Sequence, residues 1–104
     1  MNAIVPAPNI RYARYTIRDA VMECAIDGEA FRCDIEISFT PSGATLELGY
    51  VAQAIVVYST APTTAERLAY DVANLVRSAL PHAEDVTVMV RHHPRAGVEL
   101  EVTA

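Results

Sequence analysis

Lysine is missing from this 104-residue chain: the Lys+Arg total of 8 is entirely arginine. Without lysine there is no Schiff-base nucleophile and no P-loop cation for a nucleotide phosphate. Cysteine is nearly as scarce. Cys24 and Cys33 are the only 2, too few for a disulfide framework, so a reduced, cytoplasmic protein is expected. No apolar run approaches the roughly 18–20 residues that cross a bilayer, and no membrane association is expected. The opening MNAIVPAPNIRY has no basic stretch ahead of an apolar one, so no secretory signal is expected. Positive charge is in deficit, with a net charge of -5. A surface that neutralises many phosphates would be basic, so nucleic acid is disfavoured as a partner. CxxC, HExxH and GxGxxG are all absent. The adjacent His92 and His93 would point to opposite faces of one strand.

The chain does have apolar material, 52% of it hydrophobic, enough for one core in one domain. Residues 1–9 carry Pro6 and Pro8 and read as an extended arm, leaving residues 10–104 as a single domain. Ile10 to Ile26 leans towards strand. There Arg11, Arg14 and Arg18 interleave with Tyr12 and Tyr15, either a basic-aromatic patch or a solvated strand face, and the acidic charge favours the second. Asp27-Gly28 signals a two-residue type I′ hairpin, which would set Cys24 across from Phe31. Ile35, Ile37 and Phe39 alternate with polar residues as in a half-buried strand. Pro41-Ser42-Gly43 is a turn, and Thr45 to Leu48 is a short apolar stretch around Glu47.

Gly49 to Thr60 is ambiguous. Val51, Ala54, Ile55 and Tyr58 fit one helical face, whereas Ile55-Val56-Val57-Tyr58 has strand propensity. Thr63-Thr64-Ala65-Glu66 reads as a capping box with Thr63 at the N-cap and Glu66 at N3. Leu68, Ala69, Val72, Leu75, Val76, Ala79 and Leu80 then form a helical stripe that Pro81 stops. Val86, Val88 and Val90, the turn Pro94-Arg95-Ala96-Gly97, and Val98, Leu100 and Val102 read as a C-terminal hairpin. The order is strands, helix, strands: an α+β domain with an antiparallel sheet covered by helix.

In order and spacing the chain resembles the tunnelling fold (T-fold). TAERLAYDVANLVRSALP resembles a helix of GTP cyclohydrolase I. The nearer resemblance is to the 7-cyano-7-deazaguanine reductases, the nitrile reductases of queuosine biosynthesis, and to their short archaeal relatives that form an amidine from the same nitrile. Aligned without a gap from Cys24 to Glu66, Cys24 falls on the nucleophile of the CPxTGQPDF loop and Gly28 on its glycine. Pro41 falls on a turn proline, Glu47 on the Glu of ESKSLK and Glu66 on the Glu of FHE. Pro94-Arg95-Ala96-Gly97 falls on the PRGG turn after one added residue. The match spans residues 21–103. It implies a ββααββ unit, a four-stranded antiparallel sheet with helices on one face, with residues 49–59 as the first helix. Subunits of this fold close edge to edge into a barrel, so the resemblance implies a homo-oligomer with sites between chains.

The departures are equally specific. The loop Asp that donates a proton in that family falls on Phe31. The His of FHE is Ala65. Of ESKSLK, which contacts NADPH, only Glu47 remains in Glu47-Leu48-Gly49-Tyr50-Val51-Ala52. The resemblance implies a purine-like ligand, and a Cys24 thiolate that adds to a nitrile carbon to give a thioimide, reductively or with amidine formation. With Phe31 at the acid position, Asp27 or Glu29 would have to protonate the nitrogen. Glu66 would accept from the paired N–H edge of the ring, with Glu47 and Arg95 as further ligand contacts.

Each of these residues also has a plainer reading. Cys24 is a small apolar strand residue, Glu66 a helix-capping residue, Glu47 an outward residue between two leucines, and Arg95 part of a turn. Cys33 reads as structural. A T-fold binding protein for a purine or pterin, catalytically silent, is one alternative function. A GTP cyclohydrolase-like zinc enzyme is another, but its Cys–His–His set is not in register, so no metal site is expected.

Overall fold

Residues 3–104 are described in the computed structural model of the protein. The alternation at Ile35, Ile37 and Phe39 produces strand β3 (Ala30–Thr40), whose residues Phe31, Cys33, Ile35, Ile37 and Phe39 are all buried on one face. β3 lies inside a four-stranded antiparallel sheet between β2 (Ala13–Glu23) and β5 (Glu84–Arg95), with β6 (Val98–Thr103) outside β5. Ile35 pairs with Val90 and Ile37 with Val88. The buried faces of the two central strands are therefore in register.

Two further strands lie outside this sheet. The extended arm supplies β1 (Ile4–Ala7), which pairs antiparallel with β4 (Gly43–Leu46). The short apolar stretch expected at Thr45–Leu48 is thus β4, two residues earlier. Pro6 is tolerated because this ribbon has only two strands, so half of its backbone groups point away from the pairing. The Tyr15 hydroxyl donates to Leu46 O (2.8 Å) and accepts from Leu46 N (3.0 Å), fastening the ribbon to β2.

The ambiguous segment is helix α1 (Leu48–Tyr58), as the resemblance implied and against its strand propensity. Val51 and Ile55, one turn apart, are buried against the sheet side, which decides in favour of helix. The second helix, α2 (Ala65–Ala79), buries Leu68, Ala69, Val72, Ala73 and Val76, a stripe at helical spacing. α2 packs mainly on β5. Its start differs from the expected capping box. Thr64, not Thr63, is the N-cap, its hydroxyl accepting from Arg67 N at 3.1 Å. Glu66 is then the second helical residue, too early to reach back as a box partner. The physical reason is that Thr63 is occupied in backbone pairing with the end of β2.

The turn after β2 also differs. Glu23 pairs with Ala30, so residues 24–29 form a six-residue loop and not a two-residue hairpin. Phe31 faces Met22, and Cys24 lies opposite Glu29 through its N–H bond to Glu29 O (2.8 Å). The two-residue type I′ geometry occurs instead at the last hairpin, where Ala96 (φ 52) and Gly97 (φ 79) join Arg95 to Val98.

Candidate functional site

The loop 24–29 is built from short local bonds and one distant anchor. Gly28, at φ 74, returns its N–H to Cys24 O (2.9 Å). Asp27 Oδ1 accepts from Glu29 N (3.0 Å). The anchor is the segment just before α2. Cys24 and Thr63 form a parallel bridge in which Thr63 N donates to Glu23 O and Ala25 N donates to Thr63 O, both at 2.8 Å. Half-buried Cys24 therefore sits against the start of α2.

Arg95 closes the loop from the other side. Its Nη1 donates to Asp27 Oδ2 (2.9 Å) and its Nη2 to Glu29 Oε2. The Asp27 carboxyl is held below the usual carboxylate range, first by the Glu29 N–H, then by Arg95, and then by a hydrogen bond from the Cys24 thiol. Four of the six sequence candidates, Cys24, Asp27, Glu29 and Arg95, thus converge at one end of the sheet. Their roles change in doing so. Arg95 is bonded to two carboxylates of its own chain, and Asp27 is kept ionised, a poor state for a proton donor.

The other two candidates are elsewhere. Glu66 is exposed in the first turn of α2. It neighbours a cleft of about 550 Å³ that includes Ala25, Tyr58, Thr63, Arg67 and Asp71, without lining it. Glu47 caps α1, its carboxylate accepting from Tyr50 N at 2.9 Å. Tyr58, at the far end of that helix, lines the cleft beside Ala25. At 1.5 Å per residue α1 spans about 16 Å, so Glu47 does not join the Cys24 cluster within one chain.

The cleft adds residues that spacing alone did not single out. Arg67 pairs with Asp71 at 3.2 Å, and the Tyr58 hydroxyl donates to Asp71 O at 3.4 Å. The i,i+4 step from Arg67 to Asp71 was a legible signal. Burial first, then Asp71, raises the Tyr58 phenol above its ordinary value.

Phe31, at the position matched to the missing acid, is buried and stacks on His92 with ring centroids 4.7 Å apart and planes 7° from parallel. Cys33 is fully buried, and burial followed by the charge of Asp34 pushes its thiol up to about 11. It is a core residue and not a nucleophile. On the opposite sheet face His93 Nε2 lies 3.0 Å from Asp34 Oδ1, which also accepts from Asp19 N (2.8 Å). Arg14 pairs with Glu36 at 2.8 Å, in keeping with a solvated strand face. Among the described residues no cluster of three His, Cys, Asp or Glu side chains is suited to a metal ion, and no helix is long and apolar enough to cross a membrane.

No protein-family model matches the sequence, and no curated protein matches it. Among solved structures the chain is similar to an archaeosine synthase described as QueF-like, in its apo form, with a TM-score of 0.81 and 26% sequence identity. The similarity covers 90% of this chain and 91% of that one. The two-helix, four-stranded antiparallel arrangement and this near full-length match give the chain the tunnelling fold that its resemblance to the QueF-like proteins implied.

Proposed function

We propose that the protein is a T-fold enzyme that acts on a purine-like ligand bearing a nitrile, of the 7-cyano-7-deazaguanine class, through a thioimide on Cys24. The observation that carries this reading is the seating of Cys24. It is half-buried, hydrogen-bonded to Asp27, and anchored by the Thr63 bridge at the start of a 15-residue helix.

In this reading the Cys24 sulfur bonds to the nitrile carbon as one C–N π bond breaks, and the nitrogen takes up the proton that the thiol gives up. Glu66, exposed beside the cleft, is the carboxylate for the N–H edge of the ring, completed by a neighbouring subunit in a homo-oligomer. The residues matched to ESKSLK do not fit a nicotinamide. Val51 is buried in the core, and Glu47 is committed to the α1 cap. Amidine formation, in which ammonia displaces the thioimide sulfur, is therefore favoured over reduction. A catalytically silent purine- or pterin-binding protein is the second reading. It is favoured by the buried Phe31 where the family has its acid.

Mass spectrometry after mixing with 7-cyano-7-deazaguanine tests both. The expected result is a covalent adduct mapped to Cys24 and absent in Cys24→Ala. Binding by calorimetry without an adduct, lost in Glu66→Ala, would transfer support to the silent reading. Absence of both adduct and binding would overturn the two together.

A further inference from the structure

The Cys24 loop is tied at both ends. Thr63 holds its start, and Arg95, 68 residues along the chain from Asp27, holds its tip. Arg95 ends β5 and pairs with Val98, and Ala96 and Gly97 turn the chain between them. So short a turn leaves the strand end little freedom, and the guanidinium projects from a fixed base. From there Nη1 meets Asp27 Oδ2 at 2.9 Å, and Nη2 meets Glu29 Oε2.

The Asp27 carboxylate is engaged on three sides. Oδ2 accepts from Arg95, Oδ1 accepts from Glu29 N at 3.0 Å, and the Cys24 thiol donates to the same group. The backbone enforces this closeness. Cys24 N donates to Glu29 O (2.8 Å) and Gly28 N to Cys24 O (2.9 Å), so the chain closes on itself around Asp27. Glu29 differs: among the described residues its carboxylate bonds only to Arg95. The groups facing Asp27 are therefore Glu29 from its own loop, Cys24 at the end of β2, and Arg95 from β5. Held below the usual carboxylate range, first by the Glu29 N–H and then by Arg95, Asp27 is ionised at neutral pH and can accept a proton. Once protonated, it gives that proton up readily.

We propose that Arg95 is a positioning residue for the Cys24 reaction, fixing the Asp27 carboxylate against the thiol as the carrier of its proton. The proposal rests on the Cys24 reading above. As the sulfur–carbon bond forms, the S–H bond breaks and its proton passes to Asp27. As the C–N π bond breaks, the nitrile nitrogen takes that proton from Asp27. The nitrogen is one bond from the attacked carbon, so a carboxylate bonded to the thiol is near both ends of the transfer. One proton moves from thiol to nitrogen overall, and no oxidant or reductant is needed. A carrier starts the reaction ionised, so the site needs no resting acid where Phe31 occupies the matched position. Arg95 also offsets the two carboxylates, which would otherwise repel negative charge gathering on the sulfur.

The test is the rate of Cys24 adduct formation with 7-cyano-7-deazaguanine against pH, in the full chain and in Asp27→Asn, Arg95→Met and Arg95→Lys. Far-UV circular dichroism at each pH separates loss of rate from loss of fold. General acid–base catalysis typically contributes 10²–10⁴-fold, so Asp27→Asn, whose amide oxygen can still accept from Glu29 N, is expected to lose about 100-fold. The reacting form pairs a thiol with a carboxylate, so the parent is expected to hold its rate as pH is lowered to about 4. In Arg95→Met the acid limb is expected to move up by about one pH unit, a shift that a purely structural role would not produce. Arg95→Lys, which keeps the charge, is expected to restore much of the parent profile, and it carries the test should Arg95→Met fail to fold. A folded Arg95→Met with the parent rate and acid limb would overturn the positioning role, and a parent rate in Asp27→Asn would overturn the carrier, with Cys24 still the nucleophile in both cases. Absence of any adduct in the parent protein would overturn the Cys24 reading, and this proposal with it.

Discussion

The guanidinium of Arg95 is the residue on which the Cys24 loop turns. It was legible only as part of a turn and as a possible ligand contact, because its partners Asp27 and Glu29 lie far away in sequence and only the sheet register brings them together. Asp27-Gly28 reads as a two-residue hairpin, and the loop is longer than that. That pair does mark the turn, with Gly28 in the left-handed region, but local chemistry does not encode the Thr63 bridge that lengthens it. Since the Glu29 N–H first and then Arg95 hold the folded Asp27 carboxyl below its ordinary value, these contacts stabilise the protein above about pH 4. That contribution fades as pH falls through the depressed value. Asp27→Asn and Arg95→Met are each expected to flatten the acid side of a melting temperature profile between about pH 5 and 2. Variant and parent curves of the same slope would show that the pair is inert.

At the scale of elements, periodicity served well where one face is buried and badly where capping decides. The stripe of α2 and the alternation of β3 were readable because burial follows the sequence period. The N-cap was not, since Thr63 and Thr64 offer the same hydroxyl and only the bridge to Cys24 assigns them. In α1, Ile55-Val56-Val57-Tyr58 reads as strand. Its Val56 and Val57 remain exposed, so only packing of Val51 and Ile55 reveals the helix. Removal of the cap by Thr64→Ala is expected to cost about 1 kcal/mol. Truncation of fully buried Leu68 to Ala is expected to cost about 2–5 kcal/mol, the transfer loss plus a cavity. Urea titration of the two variants checks the order, and a larger loss for Thr64→Ala would contradict the packing described.

For the molecule as a whole, neither outer strand of the four-stranded sheet has a partner on its outer side among the described residues. Val21 is exposed on β2, and Val98 and Leu100 on β6. Unpaired edges with apolar side chains invite another chain, which supports the proposed homo-oligomer. Light scattering coupled to size exclusion is expected to give a mass several times 11.3 kDa, reduced in Leu100→Lys. A parent protein that runs at the single-chain mass would count against assembly and against any site shared between subunits. How subunits meet was not legible in the sequence, because alternation marks which residues leave the core and not what they meet outside it.

The rung between Cys24 and Thr63 has a mechanical consequence. It makes the thiol's address a property of the helical layer as much as of its own strand. Should α2 slide or tilt over the sheet when a guest enters the neighbouring crevice, the sulfur would be carried along with it, so occupancy and nucleophile alignment would be geared to each other.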